Sequence, residues 1–337
     1  MKIKTKIIGT GIGLPEKKLT NLELESVVDT SDEWIYTRTG IKERRISSKN
    51  GGEWPTDLAA KASLMAIENA TQNFGFDKNS IDLIIFATTT PDFKLPNSSS
   101  VLQVKLGLSN QCACFDLAAA CTGHVYGLSL ADALIKSGQM KNILVVGSEM
   151  LSREVNWNDR TTCILFGDAA GAMILSANLQ ADDPSDFLSH VIKADGSGGV
   201  HFNQYMGGAV DPITKDNVES PNRYMFMAGK DMFKVAVRAL SENALLALEK
   251  CGKTIHQIDW MVPHQANSRI IQATGERLGI DPSKVIINID KYANTSAATI
   301  PLAFHEAVSD GRIKRGQSVL LDAFGAGVTS GASVLIY

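Results

Sequence analysis

Three side chains in this sequence have the types needed to move an acyl group: the thiol of Cys121, the imidazole of His264 and the carboxamide of Asn294. A thiolate attacks a thioester carbonyl, and imidazole and amide N–H groups hold charge that develops on a carbonyl oxygen. Cys121 lies in Ala118-Ala119-Ala120-Cys121-Thr122-Gly123, where small side chains let backbone approach closely and Gly123 tolerates unusual dihedrals. Val125, Leu128, Ala131, Leu134 and Ile135 follow at helical spacing. Cys121 is therefore expected at a helix N-terminus, where the dipole lowers a thiol pKa and favours thiolate. A small cysteine buried beneath a helix fits the same local sequence slightly better. His264, in Val262-Pro263-His264-Gln265-Ala266-Asn267, follows a strand at its carboxyl end, where α/β folds gather ligands; a structural histidine bonded to backbone is the alternative. Asn294, in Tyr292-Ala293-Asn294-Thr295-Ser296, also reads as a plain helix N-cap. The turn Gly325-Ala326-Gly327 has backbone N–H groups able to face an oxyanion, and its spacing is not a dinucleotide fingerprint.

The elements that must position these residues occur twice. A helical pattern from Leu58 to Phe74 leads to the apolar run from Ile81 to Ala87, and one from Met232 to Cys251 leads to the run from Ile258 to His264. Each is followed by a helix ending at a Leu-Gly pair, Leu106-Gly107 or Leu278-Gly279, then by a short strand (the second at Val285 to Ile289) and a small-residue turn. Those turns carry Cys121 and Asn294, which lie 173 positions apart (294 − 121), as do Gly138 and Gly311 (311 − 138). The last turns, Phe166-Gly167 and Phe324-Gly325, are closer, because the first half carries extra chain between Ser148 and Thr162. This predicts two similar βα lobes with mixed sheets, residues 1–176 and 177–337, with Cys121 and Asn294 at equivalent helix starts facing one cleft.

Composition sets the bounds. At 337 residues the chain is long enough for two lobes, and 44% hydrophobic with 20% charged is an ordinary globular balance. A formal net charge of −3 gives no bulk attraction for nucleic acid or anionic membrane. No apolar run approaches the roughly 18 residues of a membrane span, and Met1-Lys2-Ile3-Lys4 leads straight into strand-like sequence without a signal-peptide core. Five cysteines, Cys112, Cys114, Cys121, Cys163 and Cys251, are too few and too irregular for a disulfide framework or a zinc site, so a reducing cytoplasmic location is expected.

Taken in order, the motifs resemble the β-ketoacyl-ACP synthase III family of thiolase-fold condensing enzymes over nearly the whole chain. They are Thr30-Ser31-Asp32-Glu33-Trp34 with Thr37-Arg38-Thr39-Gly40, the Ala-Ala-Ala-Cys121 turn, Phe166-Gly167-Asp168, Pro263-His264-Gln265-Ala266-Asn267, Asn294-Thr295-Ser296-Ala297-Ala298 and Phe324-Gly325. Chain-elongating synthases resemble a Cys-His-His arrangement instead, and degradative thiolases need a late second cysteine. The resemblance implies a layered α-β-α-β-α fold with two five-stranded mixed sheets and a homodimer. It implies an acyl-CoA starter transferred to Cys121, then condensation with malonyl-ACP after loss of CO₂, with no metal or redox cofactor. It implies an oxyanion hole from the backbone N–H groups of Cys121 and Ala326, and CoA contacts at Trp34, Arg38 and Arg160. It also implies acyl carrier protein (ACP) docking along Gln265, Ala266, Asn267, Ser268 and Arg269, with Lys234 adding charge.

Departures from the family pattern fall near the acyl pocket. Leu95 stands where Phe is common, in a loop that the resemblance implies reaches the partner subunit's acyl pocket; Val328 and Ser330 replace larger aromatics, Ala326 replaces a Gly, and Tyr292-Ala293 replaces His-Gly. An altered starter preference follows as an expectation. Competing readings are a condensing enzyme of secondary metabolism (polyketide or alkylquinolone), a Cys-His thioesterase, and a non-catalytic ACP- or CoA-binding module.

Overall fold

The computed structural model describes residues 3–48, 53–108 and 111–337; Met1 and Lys2 of the expected N-terminal run lie outside them. Nine strands form the two main sheets: β1 (Lys4–Gly13), β2 (Leu83–Ala87), β3 (Ala113–Leu117), β4 (Asn142–Met150), β5 (Asp168–Asn178), β6 (Asp186–Ala194), β7 (Trp260–Pro263), β8 (Ser318–Gly325) and β9 (Thr329–Ile336). The first sheet has the order β1-β5-β4-β2-β3. Strand β2 runs parallel to β3 and β4, while β4 to β5 and β5 to β1 are antiparallel. Every residue of β2 is buried, as its unbroken apolar run requires of a parallel strand covered on both faces.

The second sheet, β7-β8-β9-β6, repeats that order and those polarities: β7 parallel to β8, then two antiparallel pairs. The duplication extends to backbone strain. Ala120 and Ala293, the residues before Cys121 and Asn294, both have positive φ (47° and 57°), and Gly138 and Gly311 both sit at φ 78°. The expected fifth strand of the second sheet is reduced to one parallel bridge between Met261 and Val285, so that sheet has four strands. The buried Gln265 side chain explains the loss. Its amide donates to the Ile286 carbonyl and its oxygen accepts from the Asn288 N–H, taking the groups a ladder would pair. The chain then turns into the short helix Ile289–Tyr292.

Helix Pro55–Phe74 covers the outer face of the first sheet, against β1, β4 and β5, and helix Gly229–Lys250 packs on β6, β8 and β9. Helices Gly123–Lys136 and Thr299–Ser309 lie between the sheets, giving the α-β-α-β-α layering. One apolar cluster runs through this middle layer, joining Ile85 and Val145 of the first sheet to Leu128, Phe304 and Leu321. The layers pack closely enough that a Cβ on Gly147 of β4 would sit 2.3 Å from the Ala297 carbonyl oxygen. Strand β5 continues past the expected divide at 176 to Asn178, and the next strand starts at Asp186. Among the described residues no helix is long and apolar enough to cross a membrane.

Candidate active site

Cys121 occupies a single 3₁₀ turn, Ala120–Thr122, that runs directly into helix Gly123–Lys136. The left-handed Ala120 bends the chain sharply out of β3 and presents the sulfur at the start of the helix. The turn after β8 closes over it: a Cβ on Gly325 would lie 2.8 Å from the Cys121 backbone nitrogen, so only glycine fits. The expected lowered pKa is corrected by the surroundings. Burial pushes the Cys121 thiol up to about 12, with the nearby Glu149 charge adding to the rise and a Ser296 hydrogen bond opposing it. The resting sulfur is therefore a thiol.

His264 follows β7 and is fully enclosed; burial lowers its pKa to about 3, so the imidazole is neutral at physiological pH. Its Nδ1 lies 2.7 Å from the Thr299 hydroxyl, which also lies 3.0 Å from the Ser296 carbonyl; when that hydroxyl donates to Nδ1, the neutral ring carries its proton on Nε2 and is a donor at that atom. Asn294 is held by the other lobe: its N–H donates to the Leu165 carbonyl and its own carbonyl accepts from the Gly167 N–H. Its side-chain oxygen accepts from the Ser296 N–H at 2.8 Å, as in an Asx turn, so the Nδ2 amide is the end available as a donor. The local turn bond and the available donor thus use opposite ends of one carboxamide.

A single 440 Å³ cavity is lined by Cys121, His264 and Asn294, and by Trp34, Arg38 and Arg160. Its intervening walls include Phe202, Met232, Leu240 and Phe324. Helix Asp32–Thr39, capped by the Ser31 hydroxyl at the Trp34 N–H, carries Trp34 and Arg38. Both guanidiniums stack on the indole, Arg38 at 4.4 Å and Arg160 at 5.0 Å from the ring centre, and Arg160 also pairs with the exposed Asp29.

Cys121 also lines a second chamber of 180 Å³. Ala326 lines it with Leu151, Phe166, Phe202, Met225 and Gln204. Gln204 is held by donating to Glu154 at 2.7 Å and to the Arg223 carbonyl at 2.8 Å. Val328, expected to shape the acyl pocket, is not in this lining. Val328 packs behind the wall, with Met232, Leu240 and Phe324, and sits against Gly198. Leu95 projects from a surface loop and is 87% exposed. Gln265 is corrected as a docking residue: it is 1% exposed and spends its amide on the Pro263 and Ile286 carbonyls. The surface role is left to Ala266, Asn267, Ser268 and the exposed Arg269; Asn267 and Arg269 donate to backbone carbonyls of Arg38 and Thr37.

Sequence reasoning missed Glu149. This carboxylate at the end of β4 is wholly buried, and burial raises its pKa. It accepts from the Thr90 hydroxyl at 2.7 Å, the Thr89 N–H at 3.1 Å, the Thr88 hydroxyl at 3.2 Å and the Ser296 hydroxyl at 3.0 Å. A lone Glu ending an apolar strand, followed across the fold by Ser296, gives no local signal.

Comparison with known proteins places the chain. The family described as 3-oxoacyl-[acyl-carrier-protein] synthase III matches residues 115–196, and its C-terminal counterpart matches residues 248–337. The β-ketoacyl-[acyl-carrier-protein] synthase III of Caldanaerobacter subterraneus is 44% identical over 334 residues, covering 99% of this chain and 98% of that one. The protein of the same name from Clostridioides difficile is 46% identical over 335 residues, covering 99% of each. The crystal structure of 3-oxoacyl-[acyl-carrier-protein] synthase III from Aquifex aeolicus superposes with a TM-score of 0.89 at 44% identity, over 99% of this chain and 100% of that one. With the fold repeated twice and Cys121, His264 and Asn294 brought to one cavity, the chain belongs to the 3-oxoacyl-[acyl-carrier-protein] synthase III family.

Proposed function

We propose that the protein is a β-ketoacyl-ACP synthase III, joining an acyl-CoA starter to malonyl-ACP by decarboxylative condensation. The observation that carries this reading is one cavity with a thiol, a neutral imidazole and a carboxamide at its base and stacked aromatic and guanidinium groups at its mouth. The thioester of the acyl-CoA enters from the mouth, and the Cys121 sulfur attacks its carbonyl. The C–S bond to CoA breaks, and the acyl group is stored on Cys121. Backbone N–H groups of Cys121 and Ala326 stabilise the tetrahedral oxyanion, and the acyl chain occupies the 180 Å³ chamber that both residues line. Malonyl-ACP then uses the vacated cavity. As its carboxylate leaves as CO₂, negative charge moves onto the thioester oxygen, toward the N–H donors of His264 Nε2 and Asn294 Nδ2. The enolate carbon attacks acyl-Cys121, the C–S bond breaks to leave a thiolate that takes up one proton from solvent, and β-ketoacyl-ACP departs. Every step is an acyl transfer or a decarboxylation, so no electron carrier is needed.

Trp34 and Arg160 suit an adenine by stacking, but their present contact fills that slot, so a base enters only when the exposed guanidinium swings off the ring. Trp34→Ala is expected to raise KM for acyl-CoA about tenfold with kcat nearly unchanged, since base stacking is worth roughly 1–3 kcal/mol. Steady-state kinetics with CoA and pantetheine thioesters measures it: the pantetheine KM stays put.

ACP docking is assigned to the rim at Ala266–Arg269, helped by the exposed Lys234; positive charge there suits an acidic carrier despite the net negative chain. A homodimer is supported by β3, an edge strand with exposed residues, and by the protruding Leu95. Five free thiols favour a reducing cytoplasm. The deciding experiment supplies radiolabelled malonyl-ACP and a panel of short, medium and branched acyl-CoAs, and reads the products. Release of CO₂ with formation of β-ketoacyl-ACP supports the reading. Free fatty acid without CO₂ assigns a thioesterase, and turnover of malonyl-CoA or β-keto acids in place of malonyl-ACP assigns secondary metabolism.

A further inference from the structure

Asn294 is carried by a segment that the second sheet does not hold. The ladder ends at the bridge of Met261 with Val285, and Asn294 lies nine positions further on (294 − 285). Between them run the short helix Ile289–Tyr292 and then Ala293, whose φ of 57° and ψ of −157° sit at the edge of a region left almost wholly to glycine. Such a conformation persists only where the surroundings fix both of its flanks. On the far flank the Asn294 backbone is bonded to Leu165 and Gly167. On the near flank the fixing group is Gln265, the residue after His264. Its buried carboxamide is bonded to main chain at both ends. Nε2 donates to the Pro263 carbonyl at 2.8 Å and to the Ile286 carbonyl at 3.2 Å, and Oε1 accepts from the Asn288 N–H at 3.0 Å. The Asn288 side chain, just before the short helix, donates to Glu306 at 2.9 Å, and the Tyr292 hydroxyl at its end donates to the same carboxylate at 2.7 Å. Glu306 lies two turns along the helix whose first residue, Thr299, meets the His264 imidazole. His264, Thr299, Glu306, Asn288 and Gln265 thus close a ring.

We propose that Gln265 is a positioning residue for Asn294: its carboxamide ties the end of β7, which carries His264, to the segment that delivers Asn294, and so sets the spacing of the two N–H donors. The inference rests on the reading of these two side chains as donors to one developing oxyanion. His264 does not need the tie, because the sheet holds it: its N–H donates to the Asp322 carbonyl at 2.7 Å. Asn294 does need it. Without the carboxamide, the Ile286 carbonyl and the Asn288 N–H lose a buried partner, and the near flank of Ala293 is released. Ala293 then relaxes toward an ordinary dihedral and turns the Asn294 side chain away from the point it shares with His264. A misplacement of about 1 Å can lower a rate about 10²-fold. Cys121 is carried by the other lobe on its own turn, so its acylation does not depend on this carboxamide.

Gln265→Met keeps a side chain of similar length and removes all three bonds. In single-turnover assays it is expected to release CO₂ from malonyl-ACP about 10²-fold more slowly, with acylation of Cys121 by acyl-CoA within about twofold of wild type. Combining it with Asn294→Ala separates positioning from general support of the fold. With the Asn294 amide gone there is nothing left to position, so adding Gln265→Met is expected to slow CO₂ release by no more than about threefold further. Gln265→Glu keeps the acceptor for the Asn288 N–H, and burial favours its acid form, which donates to one of the two carbonyls. Its CO₂ release should fall between methionine and wild type, about tenfold down, and it carries the test if the methionine variant does not fold. Wild-type CO₂ release in either folded variant, an equal loss in acylation, or the full loss repeated on top of Asn294→Ala overturns the proposal. Failure of the donor reading itself would look different: His264→Ala and Asn294→Ala would then release CO₂ at the wild-type rate.

Discussion

Cys121→Ala is expected to form no acyl adduct with any CoA thioester and to lose condensation by about 10⁴-fold or more, the scale of removing a nucleophile. That corresponds to at least about 5.5 kcal/mol of barrier. Decarboxylation of malonyl-ACP should survive, because His264 and Asn294 stand on the other lobe and their partners, Thr299 and Ser296, do not involve the sulfur as an anchor. Intact-protein mass spectrometry reads the first half and CO₂ release the second. An adduct that persists in the variant would remove Cys121 from its role, whereas loss of both halves together would point to a damaged fold.

The reciprocal result is expected from His264→Ala and Asn294→Ala. Each should acylate at close to the normal rate and condense about 10²–10³ times more slowly, the usual cost of one lost oxyanion donor. The pH dependence has a definite sign. With the His264 pKa lowered to about 3, the neutral imidazole is the working form, so decarboxylation should be level from about pH 5 upward and fall only on acidification toward that pKa. Single-turnover assays, acyl transfer and CO₂ release scored separately, measure both. Equal loss in both half-reactions would contradict a role confined to the second.

The duplicated fold, which puts Cys121 on one lobe and His264 and Asn294 on the other, was legible in the sequence. Helix ends at Gly138 and Gly311, the equal spacing to Cys121 and Asn294, and the unbroken apolar strand β2 are local features that periodicity and turn chemistry report. The fifth strand of the second sheet was not legible. Val285 to Ile289 has every mark of a strand, and the competitor is one buried amide, Gln265, contributed from 20 positions upstream (285 − 265). The same amide defeats its expected place on the docking surface. The thiol's protonation was misjudged because dipole position can be read from sequence, while burial and the Glu149 charge come from long-range packing. The chamber beside Cys121 was missed for the same reason: Leu151, Phe166, Phe202 and Met225 converge only in three dimensions.

On the proposed assignment of the acyl group to it, the chamber beside Cys121 also acts as a ruler. An apolar cavity of about 150 Å³ holds one benzene, six carbons; at 180 Å³ this one has room for a primer of comparable size, with Gln204 in its wall. Later elongation adds carbon only at the carboxyl side, so whatever fits here stays untouched as the methyl terminus. The straight or branched character of each finished chain's tail is thereby settled at its first bond, by the walls of one small room.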